Sequence, residues 1–282
     1  MKILLWRLLI IFFIAGTVQP SDLESRIKMI VDSQNDEYLK GYMEPFATAT
    51  GSISNGAMYH RAYTKSLLHF DIGVSAVYLQ VPEKAKFIPG DGQENPTVFG
   101  TNREAGTTIP GTGVSSLLVP LFQANIGFIS NLELTVRYAD FNLSKFGQLS
   151  VIGGGVKYGL ADMIPIPLFP LDFSVLVMWH SISVENWLSS GNLGMNILAS
   201  SSFSVIPIDL YTGVGYDNTW IEISPGKIPD IGDSFPGSVL INGQNKFRAT
   251  FGMGYTMNII NAHFDYNIGY YNSFGMGLMI VF

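Results

Sequence analysis

The sequence contains no cysteine, which excludes disulfides, thiolate metal centres, a cysteine nucleophile and a lipid anchor on an N-terminal cysteine. Charge is almost as scarce: 13% of the residues are charged, against roughly 25% in ordinary soluble domains. The 16 Lys and Arg are scattered, and with 22 Asp and Glu the formal net charge is -6. A nucleic-acid partner is therefore excluded, because backbone binding needs a basic stripe. Past the N-terminus no segment reaches the ~18 consecutive apolar residues of a membrane-spanning helix. The four histidines, His60, His69, His180 and His263, fall in no H-E-x-x-H or H-x-x-E-H spacing, and G-x-S-x-G is absent. Metalloprotease and α/β-hydrolase chemistry drop out with them, and neither a metal nor a cofactor is expected.

Apolar residues are plentiful, at 47% of the chain, but they are dispersed among Gly, Ser, Thr and Asn, and the chain carries 30 Gly, 19 Phe and 13 Tyr. That mixture suits strands in contact with lipid better than it suits helices.

Residues 1–20 read as a secretory signal: Lys2 and Arg7 are followed by an apolar run from Leu8 to Ala15 and by small residues at Ala15, Gly16 and Thr17. The alternative is an uncleaved anchor, and either requires export. Residues 21–64 read as a helical plug or lid. Ser21 and Glu24 are spaced as a capping box, and Leu23, Ile27, Ile30 and Val31 recur at helical spacing to form the stripe that would pack it. A second helical piece is expected from Glu37 to Met43, ending before Pro45. The stripe would pack inside or beneath a barrel, or else on a soluble core.

From His69 the period falls to two. Phe70, Ile72, Val74, Ala76 and Tyr78 alternate with His69, Asp71, Gly73 and Ser75, and Phe247 to Met257 and Ile260 to Tyr270 repeat the pattern with aromatics on the apolar face. Several such runs exceed ten residues, longer than soluble strands and close to the ~9–11 that cross a bilayer at a tilt. A soluble sandwich would also alternate, but within lipid an antiparallel sheet must close to pair its backbone. The expected fold is all-β: an antiparallel transmembrane β-barrel of 10 to 12 strands over residues 65–282, with the N-terminal plug or lid. Ten strands are read at 69–80, 117–126, 131–140, 148–160, 171–184, 193–203, 208–218, 246–257, 260–270 and 273–282, and a further strand between 46 and 54, paired with another, would make twelve. If the first runs outward, connections 81–116 and 219–245 fall outside, while 127–130, 204–207 and 258–259 fall inside with the Pro-rich 161–170.

Tyr38-Leu39-Lys40-Gly41-Tyr42-Met43-Glu44-Pro45, Ser54-Asn55-Gly56-Ala57-Met58-Tyr59, Phe70-Asp71-Ile72 and Pro96-Thr97-Val98-Phe99-Gly100 resemble a family of uncharacterised bacterial outer-membrane β-barrels. The resemblance implies a helical segment ahead of the barrel and location in the bacterial outer membrane. It covers the N-terminal third and, more loosely, residues 155–158 and the Pro-rich segment after them. The order of segment then barrel is also similar to FadL-type transporters of hydrophobic compounds, although Asn-Pro-Ala is absent from the N-terminal segment and the strands are fewer than in that family.

Glu133, Arg137, Lys157, Arg248, His263 and Asp265 should line the lumen, either pairing to close it or lining a solute path. His263 and Asp265, two apart on one strand, could alternatively serve a hydrolase, but a polar network is the plainer role for them. Gly153-Gly154-Gly155 lacks the Lys-Ser/Thr of a phosphate loop and gives room for a bend or a close approach. Asp91, Glu94 and Glu104 could hold Ca²⁺, or simply form a solvated acidic loop. Three functions follow: a narrow channel or passive transporter for a small or hydrophobic solute, a structural or surface-binding barrel with a sealed lumen, and an outer-membrane hydrolase. Outer-membrane lipid and the barrel-assembly machinery are the expected partners. Phe274, Met276, Leu278, Ile280 and Phe282 form the C-terminal signal that this machinery would read. Met279 and Val281 stand apolar on the opposite, polar face, so the N-terminal helical stripe, or some other cover, should plug the lumen at that end.

Overall fold

The computed structural model describes residues 22–32, 35–88, 95–101, 109–129, 131–143, 145–160, 171–203, 206–228 and 237–282. The secretory signal, Ser21 of the capping box, the Pro-rich 161–170 and the acidic Asp91, Glu94 and Glu104 lie outside them. Two helices come first, α1 (Asp22–Asp32) and α2 (Asp36–Ser54). Strand β1 (Phe70–Gln80) follows, with the short hairpin β2 (Phe87–Ile88) and β3 (Asn95–Pro96) after it. The rest is β4 (Ser116–Gly127), β5 (Leu132–Leu143), β6 (Gly147–Gly159), β7 (Leu171–Val184), β8 (Leu188–Ser202), β9 (Ile208–Ile223), β10 (Val239–Asn242), β11 (Phe247–Met257), β12 (Ile260–Ile268) and β13 (Ser273–Val281).

Each long strand pairs antiparallel with its neighbours, β1 with β13 and β4, and β9 with both β8 and β11, so that ten strands close into a barrel. β10 extends the line of β11, pairing Val239–Asn242 with Trp220–Ile223 of β9 beyond the reach of β11. These are the ten strands the alternation predicts, and residues 46–54 belong to α2, so the barrel does not have twelve. Connections 81–115 and 224–238 share one end, here the loop end. The tight turns 128–131, 203–207 and 258–259 share the other, the turn end, with Asn131 and Asn258 in the left-handed region, which Asn tolerates.

The barrel has two levels. From the turn end to about mid-height it is inside out: Ile72, Phe122, Val136, Val156, Val177, Val214 and Phe251 point outward and are exposed, while charged and amide side chains point inward. Toward the loop end the polarity reverses without any change of register. Val77, Leu79, Leu149, Val151, Ile182, Val184, Ile221 and Ile223 turn inward and are buried, and Asp140, Gln148, Ser183 and Glu222 face out. The lower level is built for lipid, and the upper is an ordinary globular core.

α1 and α2 complete that core, and their place corrects an expectation. The stripe Leu23, Ile27, Ile30 and Val31 is buried, but at the loop end: Leu23 N–H donates to Lys145 O in the β5–β6 turn (3.1 Å), and Phe46 stacks on Phe146 with centroids 5.2 Å apart. The reason is connectivity. β1 starts at the turn end, so residues 55–69 must run down through the lumen to reach it, leaving the helices at the opposite mouth. Met279 is instead covered at Gly73, where a Cβ would meet its sulfur.

α2 starts on Asn35, whose Oδ1 accepts the Tyr38 N–H at 2.8 Å. It runs through Pro45 to Ser54, where a stop before Pro45 is expected from sequence. Past Pro45 the chain is enclosed by the wall, where a helix pairs the backbone internally. The hydroxyls of Thr48, Thr50, Ser52 and Ser54 bond back to the carbonyls of Glu44, Ala47, Thr48 and Thr50, satisfying polar groups that have no water.

Candidate functional site

The lumen and the segment threaded through it are the candidate site. At the loop mouth residues 96–100 and 109–112 of the first long connection pack over α2. Val98 N–H donates to Tyr42 O at 3.0 Å, Phe99 lies 6.3 Å from Phe46, and Tyr42 Oη donates to Pro110 O at 3.0 Å. Arg26 of α1 reaches the Pro110 and Gly111 carbonyls. Burial raises the Tyr42 hydroxyl above the ordinary phenol range, against the lowering pull of Arg26. Pro96-Thr97-Val98-Phe99-Gly100 is therefore the inner face of a lid, and its Val and Phe are core residues.

Below the apolar level α2 passes so close to the wall that a Cβ at Gly51 would collide with Thr219 and Asn245. At its C-terminus, where helix carbonyls lack intrahelical partners, the fully buried Arg137 takes over. Its guanidinium donates to Ser54 O (2.7 Å) and Gly56 O (3.0 Å), and also to Ser75 Oγ (3.3 Å). The Gly-rich run on β6 makes room for β7: Cβ atoms at Gly153 and Gly155 would strike His180 and Met178.

Residues 55–69 then cross the polar level. Asp71 is the centre there, accepting from Arg61 (3.1 Å), Lys65 and Asn125, with His60 Nε2 at 3.6 Å. Glu133 holds Lys157 at 2.8 Å and accepts the Lys65 backbone N–H at 3.1 Å. Gln123 donates to Met58 O at 3.1 Å. Across the lumen Arg248 binds Asp217 (3.2 Å), Thr250 (2.8 Å), Asn267 (3.1 Å) and Asn196 (2.8 Å). Asp265 accepts from Asn267 at 2.6 Å and Tyr211 at 3.4 Å.

All six lumen residues inferred from sequence thus lie inside the barrel and are buried. Glu133, Lys157 and Arg137 hydrogen-bond the backbone of the threaded segment, and Arg248, His263 and Asp265 meet it at Tyr59, His60 and Ala57 while also joining wall networks. His263 and Asp265 share a face but bond to different partners: His263 Nδ1 lies 3.1 Å from Asn261 Oδ1, and its ring stacks on His60 at 5.0 Å. Among the described residues no group of His, Asp and Glu is arranged to hold a metal. Sequence reasoning missed Arg61 and Lys65, which lie in a stretch without periodicity. The inward register of Asp71, an acid in need of a cation, was the one available signal.

Together these features define a closed membrane β-barrel plugged by its own N-terminal segment. The chain belongs to DUF6588, a family of unknown function, which matches it over residues 1–282. No curated protein matches it. Among solved structures it is similar to OmpTdeltaL8, a loop-deletion mutant of the outer membrane protein OmpT of Vibrio cholerae, with 13% identity over 58% of this chain and 53% of that one and a TM-score of 0.29. It is also similar to the translocator domain of the autotransporter NalP from Neisseria meningitidis, with 10% identity, 89% and 97% coverage and a TM-score of 0.33. The chain spans about half the length of the OmpT structures it matches. The FadL-type likeness rests on segment order alone.

Proposed function

We propose that the protein is a sealed β-barrel of the bacterial outer membrane, lying with its loop end outward and acting as a structural or surface-binding barrel, with no open conduit and no hydrolase site. The observation that carries this is the filled lumen. Met58, Tyr59, His60, Ala62 and Lys65 are buried against the wall, and a cavity of about 20 Å³ beside α2 and one of about 10 Å³ beside residues 58–60 are each near the smallest space that holds one water. Opening is costly. Withdrawing α1 would expose Leu23, Ile27, Ile30 and Val31, each burial being worth roughly 1.5–3 kcal/mol before the chain entropy regained.

Planar-bilayer recording of the full-length folded protein tests the reading. No stable conductance steps are expected, and a reproducible open-channel current would overturn it. The second reading, passage of a small or hydrophobic solute once the plug withdraws, draws support from residues 58–65. Beside the apolar contacts of Met58, Tyr59 and Ala62, these are held by polar contacts that water could replace on withdrawal.

Insertion would depend on the last strand. Phe274, Met276, Leu278, Ile280 and Phe282 all face outward and are exposed, and Phe282 stacks on Phe70 at 4.8 Å. Removing Phe282 is expected to lower several-fold the fraction of protein that migrates as a compact barrel on unheated gels of cell envelopes. Unchanged insertion would remove the assembly machinery as a reader of this segment.

A further inference from the structure

The turn end of a membrane barrel ordinarily stands in water, and here its described turns are oily. Leu67, Leu68, Phe128, Ile129, Phe203, Ile206, Met257 and Ile259 are all exposed there. No Asp, Glu, Lys or Arg occurs among the described residues of 66–69, 128–131, 203–207 and 257–260. The loop end carries Glu83, Lys84, Lys86, Lys145, Glu185 and Lys227.

We infer that these turns are sunk at the acyl–headgroup boundary of the bilayer and that lipid is their partner. Three further observations carry this. First, apolar tips continue the lipid-facing surface of neighbouring strands without a polar break: Phe128 follows Ile126 on β4, Leu68 precedes Phe70 on β1, and Ile206 precedes Ile208 and Leu210 on β9.

Second, on β5 and β7 the apolar belt is short. The outward face of β7 is apolar from Leu171 to Trp179, beyond which Ser181 and Ser183 are polar. Trp179 and the neighbouring Trp220, 5.3 Å away, mark the upper boundary. Eight residues of strand rise roughly 26 Å, which is roughly 20 Å along the normal at a 40° tilt, against a belt of about 25 Å. On β5 the apolar outward stretch, Leu132 to Tyr138 before Asp140, is shorter still. The tips supply the missing height.

Third, the turns are prepared for a medium without water, where an unpaired backbone group is costly. Phe128 N–H donates to Leu132 O (2.7 Å), Leu68 N–H to Gly127 O (3.0 Å), Thr256 N–H to Pro207 O (2.9 Å) and Val281 N–H to Ile259 O (2.8 Å). Neighbouring turns thus pair one another's backbone.

The absence of native cysteine makes a direct experiment clean. Ile129→Cys and Phe203→Cys would each be labelled with the fluorophore NBD and reconstituted into phosphatidylcholine vesicles. Phe251→Cys in the lipid belt and Lys227→Cys at the loop end serve as references. The Phe251→Cys label must be quenched by nitroxide-bearing lipids, which establishes that the barrel spans the bilayer independently of where its turns lie. Both turn labels should then be quenched by lipids bearing the nitroxide near the headgroup, and should be several-fold less quenched by aqueous iodide than the Lys227→Cys label. Iodide quenching equal to that at Lys227→Cys would put the tips in water and overturn the inference, leaving an apolar protein surface as the partner that covers them. Two independent turn positions, each checked for compact migration on an unheated gel, keep the outcome from resting on one misfolded variant.

Discussion

Replacing Asp71 with alanine is expected to cost about 3–5 kcal/mol of stability, the range for breaking a buried ion pair by removing one partner. Its carboxylate is fully buried and is the shared acceptor for Arg61 and Lys65, both carried by the threaded segment. The nearest other acid, Glu133, is taken up by Lys157. Without Asp71 two cations are left in a space that has no room for the water to solvate them. Urea titration of the folded protein in detergent, followed by migration on unheated gels, reads the loss. A triple variant with Arg61→Met and Lys65→Met added should regain most of it, because a buried ion pair replaced by apolar groups is often neutral. A change within about 0.5 kcal/mol for Asp71→Ala, the range of an ordinary surface substitution, would mean that the cluster does not hold the plug.

The limits of the sequence reading follow from the same two-level construction. Alternation identifies strands well where apolar side chains face lipid, as in β11 and β12, since one rule of polarity holds along their length. β8 and β9 extend into the upper level, and there the rule inverts. Leu210, Val214 and Tyr216 face out at even positions, while Ile221 and Ile223 face in at odd ones, so a search for a single oily face ends β9 at 218. Leu188–Ser190 precede the expected start of β8 for the same reason. The stripe of α1 was legible because helical spacing is local. Its place at the loop end was not, because only the route of residues 55–69 through the lumen determines it, and an extended, irregular segment leaves no periodic trace. The six lumen residues were legible from strand parity alone. Parity does not separate a residue that binds the plug, such as Lys157, from one that lines a solute path.

Arg137 is where these two roles can be told apart. As a lumen charge it could line a solute path, but its guanidinium is spent on Ser54 O and Gly56 O at the end of α2. Arg137→Met keeps much of the side-chain volume and orphans both carbonyls. An unsatisfied buried acceptor costs about 1–3 kcal/mol, so a loss of about 4 kcal/mol is expected from the pair. Arg137→Lys, a point charge without the two-pronged guanidinium, should hold one carbonyl and lose about half as much. The damage should concentrate in the plug. Limited proteolysis should cut within residues 22–54 of Arg137→Met while the strands stay resistant and the barrel still migrates as folded, since the ladders from β5 to β4 and β6 run through backbone groups that the substitution leaves in place. A path-lining arginine predicts the opposite pattern: unchanged stability and protease resistance, with an altered current.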